Sequence, residues 1–216
     1  MLATRPLFDA LLSFFFPDRC AGCAAAGALL CPRCRTGLTP YPPHDRVAVP
    51  GLAAVRITYL YDGALPPAIR RFKYGRERRM ADLLGGLLVA DAGGVPRGAQ
   101  AVLPVPLHAA RQAERGFNQA EELARRVAAA ARLPLLAGGL VRVRETQQQA
   151  RLGAHERREN MRGAFVWRGT APPPARVLIV DDVLTTGATM GACAEALLAA
   201  GAQQVYGLAL ARSRPD

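Results

Sequence analysis

Residues 177 to 189 read VLIVDDVLTTGAT, and few strings of this length restrict a fold as tightly. Val177, Leu178, Ile179 and Val180 run without a polar interruption, the pattern of a strand buried on both faces. Two carboxylates, Asp181 and Asp182, follow at the point where such a strand leaves its sheet. Thr185, Thr186, Gly187, Ala188 and Thr189 then make a hydroxyl-rich turn into a helix that stops near Gly201. A strand covered on both faces requires helices on each side of its sheet. The remaining chain supplies them. LAAVRITYLY (52–61), AVLPVPL (101–107), GLVRVR, GAFVW and QVYGLALA read as strands. ALPPAIRRFKYGRERRMADLLGGLLVAD reads as a helix in two pieces broken near Tyr74 and Gly75. FNQAEELARRVAAAARL sets Phe117, Ala120, Leu123, Ala124, Val127 and Ala131 on one helical face, and Asn118 with Glu121 resembles a capping box at its start. The expectation is an α/β protein with a parallel sheet, whose ligands lie beyond the carboxyl ends of the strands.

The acid pair and the turn after it need a ligand. Adjacent carboxylates are costly to keep ionised unless something positive or hydroxyl-rich meets them. A diol can donate two hydrogen bonds to them, and Mg²⁺ can neutralise part of their charge, often through water. Backbone N–H groups at a helix start, with threonine hydroxyls beside them, make a phosphate cradle. Gly187 permits the positive φ that such a turn can demand. A carboxylate pair followed by a phosphate cradle matches a sugar phosphate held at both ends. No G-x-x-x-x-G-K-[ST] string is present, so a P-loop triphosphatase is not supported.

A separate module precedes this domain. Cys20, Cys23, Cys31 and Cys34 form two CxxC knuckles joined by seven residues. That spacing suits one tetrahedral structural Zn²⁺ with no open position for chemistry. Two disulfides or a redox-active pair are the competing readings, without a signal peptide or a thioredoxin-like context to support them. Cys193, among alanines and leucines, reads as a core residue. TPYPPHDRVAVPG is proline-rich and aperiodic, so it reads as a linker, His44 included as a solvated residue. The boundary is placed at residue 50: 1–50 for an N-terminal helix with the cysteine module and linker, 51–216 for the α/β domain. No stretch approaches the roughly 20 apolar residues that cross a bilayer, and a cytoplasmic location is expected. The net charge of +11 points to anionic partners, either phosphate-bearing small molecules or nucleic acid. The cations are arginine with a single exception, Lys73, where a compact ammonium is expected to contact a ligand.

VLIVDDVLTTGAT closely resembles the phosphoribosyl pyrophosphate (PRPP) motif of type I phosphoribosyltransferases. With the two knuckles, FKYG, ADLLG, PVPLHAARQAERGFNQAEELA and TQQQARLGAHERRENMRGAF, the chain resembles the ComF family, competence-associated proteins that join a zinc module to such a domain. Many relatives carry a fuller zinc module; this one is short and can hold only a single metal. The resemblance implies that Asp181 and Asp182 hold ribose hydroxyls and that Thr185 to Thr189 hold the 5′-phosphate. It also implies that the loop at PVPLHAARQAERGFN holds pyrophosphate, with Arg111 and Arg115 pairing with its oxygens and Gly116 and Asn118 shaping the approach to the helix. His108 in that loop is a further candidate proton carrier. The segment RETQQQARLGAHERRENMRG is implied to close over PRPP, with Gln149, Arg151, Arg157 and Asn160 as candidates. The expected reaction displaces pyrophosphate from PRPP, carried with Mg²⁺, by a nitrogen acceptor that the residues do not identify. The alternative is a protein of this fold that binds single-stranded DNA, or docks a helicase-like partner through its zinc module, without catalysis. A homo-oligomer is compatible with either.

Overall fold

The computed structural model describes residues 17–75, 78–90, 95–144 and 160–213. After the cysteine module and its short helix α1 (Pro32–Thr36) come β1 (Ala54–Leu60), α2 (Leu65–Tyr74) and α3 (Arg79–Ala90). The chain continues through β2 (Ala101–Pro104), α4 (Ala109–Arg115), α5 (Gln119–Ala131), β3 (Leu140–Arg142) and β4 (Phe165–Trp167). It ends with β5 (Arg176–Leu184), α6 (Ala188–Ala199) and β6 (Gln204–Arg212). The main sheet has the order β1-β6-β5-β2 and is parallel throughout. All four strands therefore present their carboxyl ends at one edge. The break expected near Gly75 is the junction between α2 and α3.

Alternation along the strands builds two cores, one on each face. Leu178 and Val180 of β5, Val102 of β2 and Leu208 of β6 turn toward α2, α3 and α5, where Phe72, Leu84, Leu88, Leu123 and Val127 close over them. Val177 and Ile179, with Leu103 and Ala209, turn toward α6 and meet Met190, Cys193 and Leu197. On the first face α3 and α5 approach closely at Gly85, where a side chain would strike the stem of Arg126, and Arg126 pairs with Asp82.

Four expectations are modified. β5 does not end at Val180; it continues through both aspartates, with Asp181 opposite Ala209 and Leu184 opposite Arg212. β3 and β4 are strands, but they pair antiparallel with each other as a separate ribbon. The proline-rich stretch is not detached: Pro40 bridges Tyr59 on the outer edge of β1, Tyr41 N–H donates to Thr58 O (2.9 Å), and Val49 is buried in the core beside α6. Proline without periodicity signals irregular backbone, which here covers an edge strand that would otherwise be open to pairing. The capping box at α5 is half formed. Asn118 Oδ1 accepts from Ala120 N–H, while Glu121 pairs instead with Arg125 one turn along.

Candidate functional site

Asp181 and Asp182 stand next to each other in an extended strand, so their side chains leave on opposite faces. Asp182 shares the face of Leu178 and Val180. It is 5% exposed, and its Oδ2 lies 2.7 Å from Lys73 Nζ at the last turn of α2. Burial works against the Lys73 ammonium, but the Asp182 carboxylate outweighs it and the pKa of the lysine is raised. Asp181 is half-buried on the other face, and its Oδ1 accepts the backbone N–H of Asp182 at 2.9 Å. Loss of solvent, and then the adjacent Asp182 charge, push the Asp181 carboxyl up to about 7 against the pull of Lys73. Cys193 is fully buried below, its thiol held well above its ordinary value by burial and next by Asp181. It packs with Met190 and Leu197 as a core residue.

The turn after β5 supplies the second part. Gly187 has φ +80° and precedes the first turn of α6, where Ala188 N–H points to Thr186 Oγ1 (3.4 Å). Thr185 is exposed, whereas Thr186, Ala188 and Thr189 are half-buried. A Cβ on Gly187 would lie 2.6 Å from Val49 Cγ2, so the stretch ahead of β1 packs directly under the turn. Gly187→Ala is expected to cost about 1–2 kcal/mol, from the positive φ and from displacement of Val49. Thermal melting checks this, and a melting curve equal to that of the wild type would contradict it.

The third part is the α4–α5 loop. Arg115 closes α4, and its guanidinium lies over the Tyr74 ring, 4.9 Å from the centroid. Its Nη2 donates to the Tyr74 hydroxyl at 3.2 Å and its Nη1 to Gln119 Oε1 at 3.1 Å. Gly116 follows at φ +80°, with open space where a side chain would be. Arg111 is half-buried one turn earlier on α4. Asn118 is buried and both polar atoms of its side chain serve backbone, Oδ1 as the helix cap and Nδ2 as donor to Val105 O (3.1 Å). It holds the loop against the end of β2. His108 is the half-buried N-cap of α4, with no partner for Nδ1 among the described residues. Asn160 is exposed, and its backbone oxygen accepts from Arg144. Gln149, Arg151 and Arg157 lie outside the described residues.

Lys73, Asp182 and Arg115 thus come together from three distant segments, with Lys73 Nζ on Asp182 and the Arg115 guanidinium on Tyr74, the residue after Lys73; Asp181 adjoins them on β5. Two members of this cluster, Tyr74 and Gln119, were not singled out by sequence. Their neighbours in FKYG and RGFNQA were, and no periodicity marks a residue whose task is to brace an arginine from another helix. The donor set offers Mg²⁺ no protein cage, because Asp182 is already paired with Lys73 and Asp181 receives a backbone N–H. A magnesium ion here fits only as one carried in by phosphate oxygens of a ligand.

The cysteine module does offer a cage. The sulfurs of Cys20, Cys23, Cys31 and Cys34 lie within 4.8 Å of one another, and Cys23 and Cys31 are 3.7 Å apart. Four thiolates at about 2.3 Å from one zinc would be about 3.8 Å apart, so the set fits a tetrahedral metal. No disulfide joins them. Cys31 N–H donates to Cys20 Sγ (3.3 Å), as a thiolate ligand requires. The module is fastened to α2 and α3 by Arg71 to Arg19 O, by the Arg79–Asp18 ion pair (2.7 Å), and by contact of Gly22 with Ala64. Elemental analysis is expected to find one zinc per chain, and Cys34→Ser to release it. Full metal content in that variant would exclude the four-sulfur site.

Residues 112–214 match the phosphoribosyl transferase domain family. The chain is 31% identical over 201 residues to Competence protein F of Haemophilus influenzae, covering 89% of this chain and 84% of that one. It is 31% identical over 203 residues to DNA utilization protein YhgH of Escherichia coli K12, covering 90% and 88% respectively. Among solved structures it matches a glutamine PRPP amidotransferase from B. subtilis at 20% identity and TM-score 0.40, over 63% of this chain; it spans only 26% of that protein. With a parallel α/β sheet, a phosphoribosyltransferase-type domain and a four-cysteine cluster at the front, the chain belongs to the ComF family of competence-associated proteins.

Proposed function

We propose that the protein binds PRPP together with Mg²⁺ and transfers the phosphoribosyl group to a nitrogen acceptor, releasing pyrophosphate. The observation that carries this reading is the convergence at one sheet edge of an acid pair, a threonine-glycine turn into a helix, and an arginine-bearing loop. Asp181, the more accessible carboxylate, accepts hydrogen bonds from the ribose hydroxyls, with Asp182 held behind it by Lys73. Thr185 to Thr189 surround the 5′-phosphate at the start of α6, where backbone N–H groups and the helix dipole favour an anion. Arg115 and Arg111, with the Gly116 backbone, receive the pyrophosphate as charge develops on it. The bound Mg²⁺ supplies charge neutralisation on the phosphates. The protein supplies position, and excludes water from a glycosyl centre that water would otherwise attack. A place in DNA uptake follows from the names of the relatives.

Calorimetric titration of PRPP with and without Mg²⁺, on the wild type and on Asp181→Asn/Asp182→Asn, tests the reading. Metal-dependent binding that disappears in the double variant is the expected result. Absence of binding to the wild type would overturn it.

A second reading has its own observation. Arginines run from the cysteine module (Arg19, Arg33, Arg35) across the α2–α3 junction (Arg70, Arg71, Arg78, Arg79) to Arg115. Arg71 and Arg79 attach to the module and Arg78 reaches toward Gly116 O (3.4 Å), which ties the α2–α3 junction to the module on one side and to the α4–α5 loop on the other. A basic stripe of this kind supports binding of single-stranded DNA without catalysis. Salt-sensitive binding of an oligonucleotide by a protein that ignores PRPP would favour it.

A further inference from the structure

Arg212 ends β6 as a cation that the described protein does not neutralise. Its Nη1 is buried and meets no acceptor, and among the described residues no carboxylate pairs with it. The residues beside it in the sheet are apolar, Leu60 on β1 and Leu184 on β5. A half-buried guanidinium without a counter-charge costs stability. The same edge shows, in Asp182 and Lys73, how a buried charge is ordinarily met.

The direction of the side chain is set by its neighbours. Ala209 belongs to the core under α6, whereas Leu210 and Ala211 both belong to the core under α2, so the alternation slips once near the end of β6. Arg212 therefore returns to the α6 side. Leu184, its partner in register, lies there too, packed in the core with Val49 and Met190. Ser213 N–H donates to Leu184 O (3.1 Å), which keeps the two strands paired to this point. Thr185 comes next on β5, and Val49 is the side chain that a Cβ on Gly187 would strike. Arg212 thus stands at the base of the threonine-glycine turn.

Its place across the sheet points to the ligand. The Arg115 loop follows β2, the acid pair is on β5, and Arg212 is on β6. β2 and β6 are two strand spacings apart, about 10 Å, with the carboxylates of β5 between them. PRPP carries its groups in the same order, with pyrophosphate at C1, then the ribose hydroxyls, then the phosphate at C5. We propose that Arg212 binds the 5′-phosphate. It adds an ionic contact to a cradle whose other donors, threonine hydroxyls and backbone N–H groups, are neutral. This rests on the phosphoribosyl-transfer reading and adds to its site a residue from outside the threonine-glycine string.

The test uses the full chain as wild type, Arg212→Met and Arg212→Lys. Ribose 5-phosphate, pyrophosphate, and PRPP with Mg²⁺ are titrated by calorimetry, and thermal melting checks the fold. Arg212→Met is expected to melt at or above the wild-type temperature, because an unpaired charge has left a half-buried position. Its affinity for ribose 5-phosphate should fall about tenfold or more, as loss of a charge-assisted contact requires, and recover in part in Arg212→Lys. Pyrophosphate affinity should not change. Equal affinity for ribose 5-phosphate in wild type and Arg212→Met overturns the contact, and PRPP binding by the wild type then leaves the transfer reading standing. An equal fall for pyrophosphate also overturns it, since the charge would then act on any anion at this edge. Loss of affinity that comes with a lower melting temperature in both variants makes the guanidinium structural and overturns it as well. Ribose 5-phosphate binding that depends on Arg212, in a protein that does not bind PRPP, sustains the contact and overturns the transfer. Binding of neither sugar phosphate by the wild type overturns both.

Discussion

Lys73→Met is expected to destabilise the protein by about 2–4 kcal/mol, seen as a fall of roughly 5 to 15 °C in thermal midpoint at neutral pH. The reason is the partner left behind. Asp182 is 5% exposed, sits on the apolar face with Leu178 and Val180, and has Lys73 Nζ at 2.7 Å as its ion-pair partner. Breaking a buried pair costs more than the pair contributed, because the remaining charge has nowhere to be solvated. The lysine is 25% exposed, which places the figure below that of a fully buried pair. Adding Asp182→Asn to the Lys73→Met protein should recover most of the loss, since a neutral amide tolerates that position better than an unpaired carboxylate. A Lys73→Met protein that melts with the wild type would show that the ammonium is held for the ligand alone.

That experiment also bears on how far the sequence could be read. The parallel sheet and its helices were legible because VLIV and AVL are too apolar for a half-solvated strand, and because FNQAEELARRV carries a helical stripe. The edge at which a ligand would sit followed from that topology. The end of β5 did not. A run of apolar residues giving way to two carboxylates looks like a strand leaving its sheet, and a cation arriving from α2 meets the second acid as the strand runs four residues past Val180 to Leu184. Lys73 was noticed for its chemistry, but nothing in the spacing could show that it is spent on Asp182. Tyr74 and Gln119 were missed for the same reason, since bracing Arg115 is a relation between helices and leaves no local pattern. Asn118 was marked for the site, and the structure shows its side chain engaged with the backbone of α5 and β2. The four cysteines were legible down to their geometry, because metal knuckles are short-range and their spacing alone brings the sulfurs together.

Asp181→Asn is expected to move stability and ligand binding in opposite directions. Its carboxyl is raised from an ordinary 3.8 to about 7, chiefly by burial and then by Asp182. Between about pH 4 and 7 the folded chain therefore keeps a proton that the unfolded chain has released. The unfolded state binds fewer protons, so this group's contribution to stability falls as pH rises through that window and its cost is fully present above it. The neutral amide removes the effect. The variant should match the wild type near pH 4 and become progressively more stable than it up to pH 8, by about 1–3 kcal/mol once solvent screening of a half-buried group is allowed for. PRPP binding should meanwhile be lost by a hundredfold or more, as expected when an ionised acceptor of ligand hydroxyls is removed. A variant less stable than the wild type at pH 8 would instead show that the carboxylate charge itself stabilises the fold, since an asparagine oxygen can still accept the Asp182 N–H. Stability gained with binding lost is the combination that a structural carboxylate cannot produce.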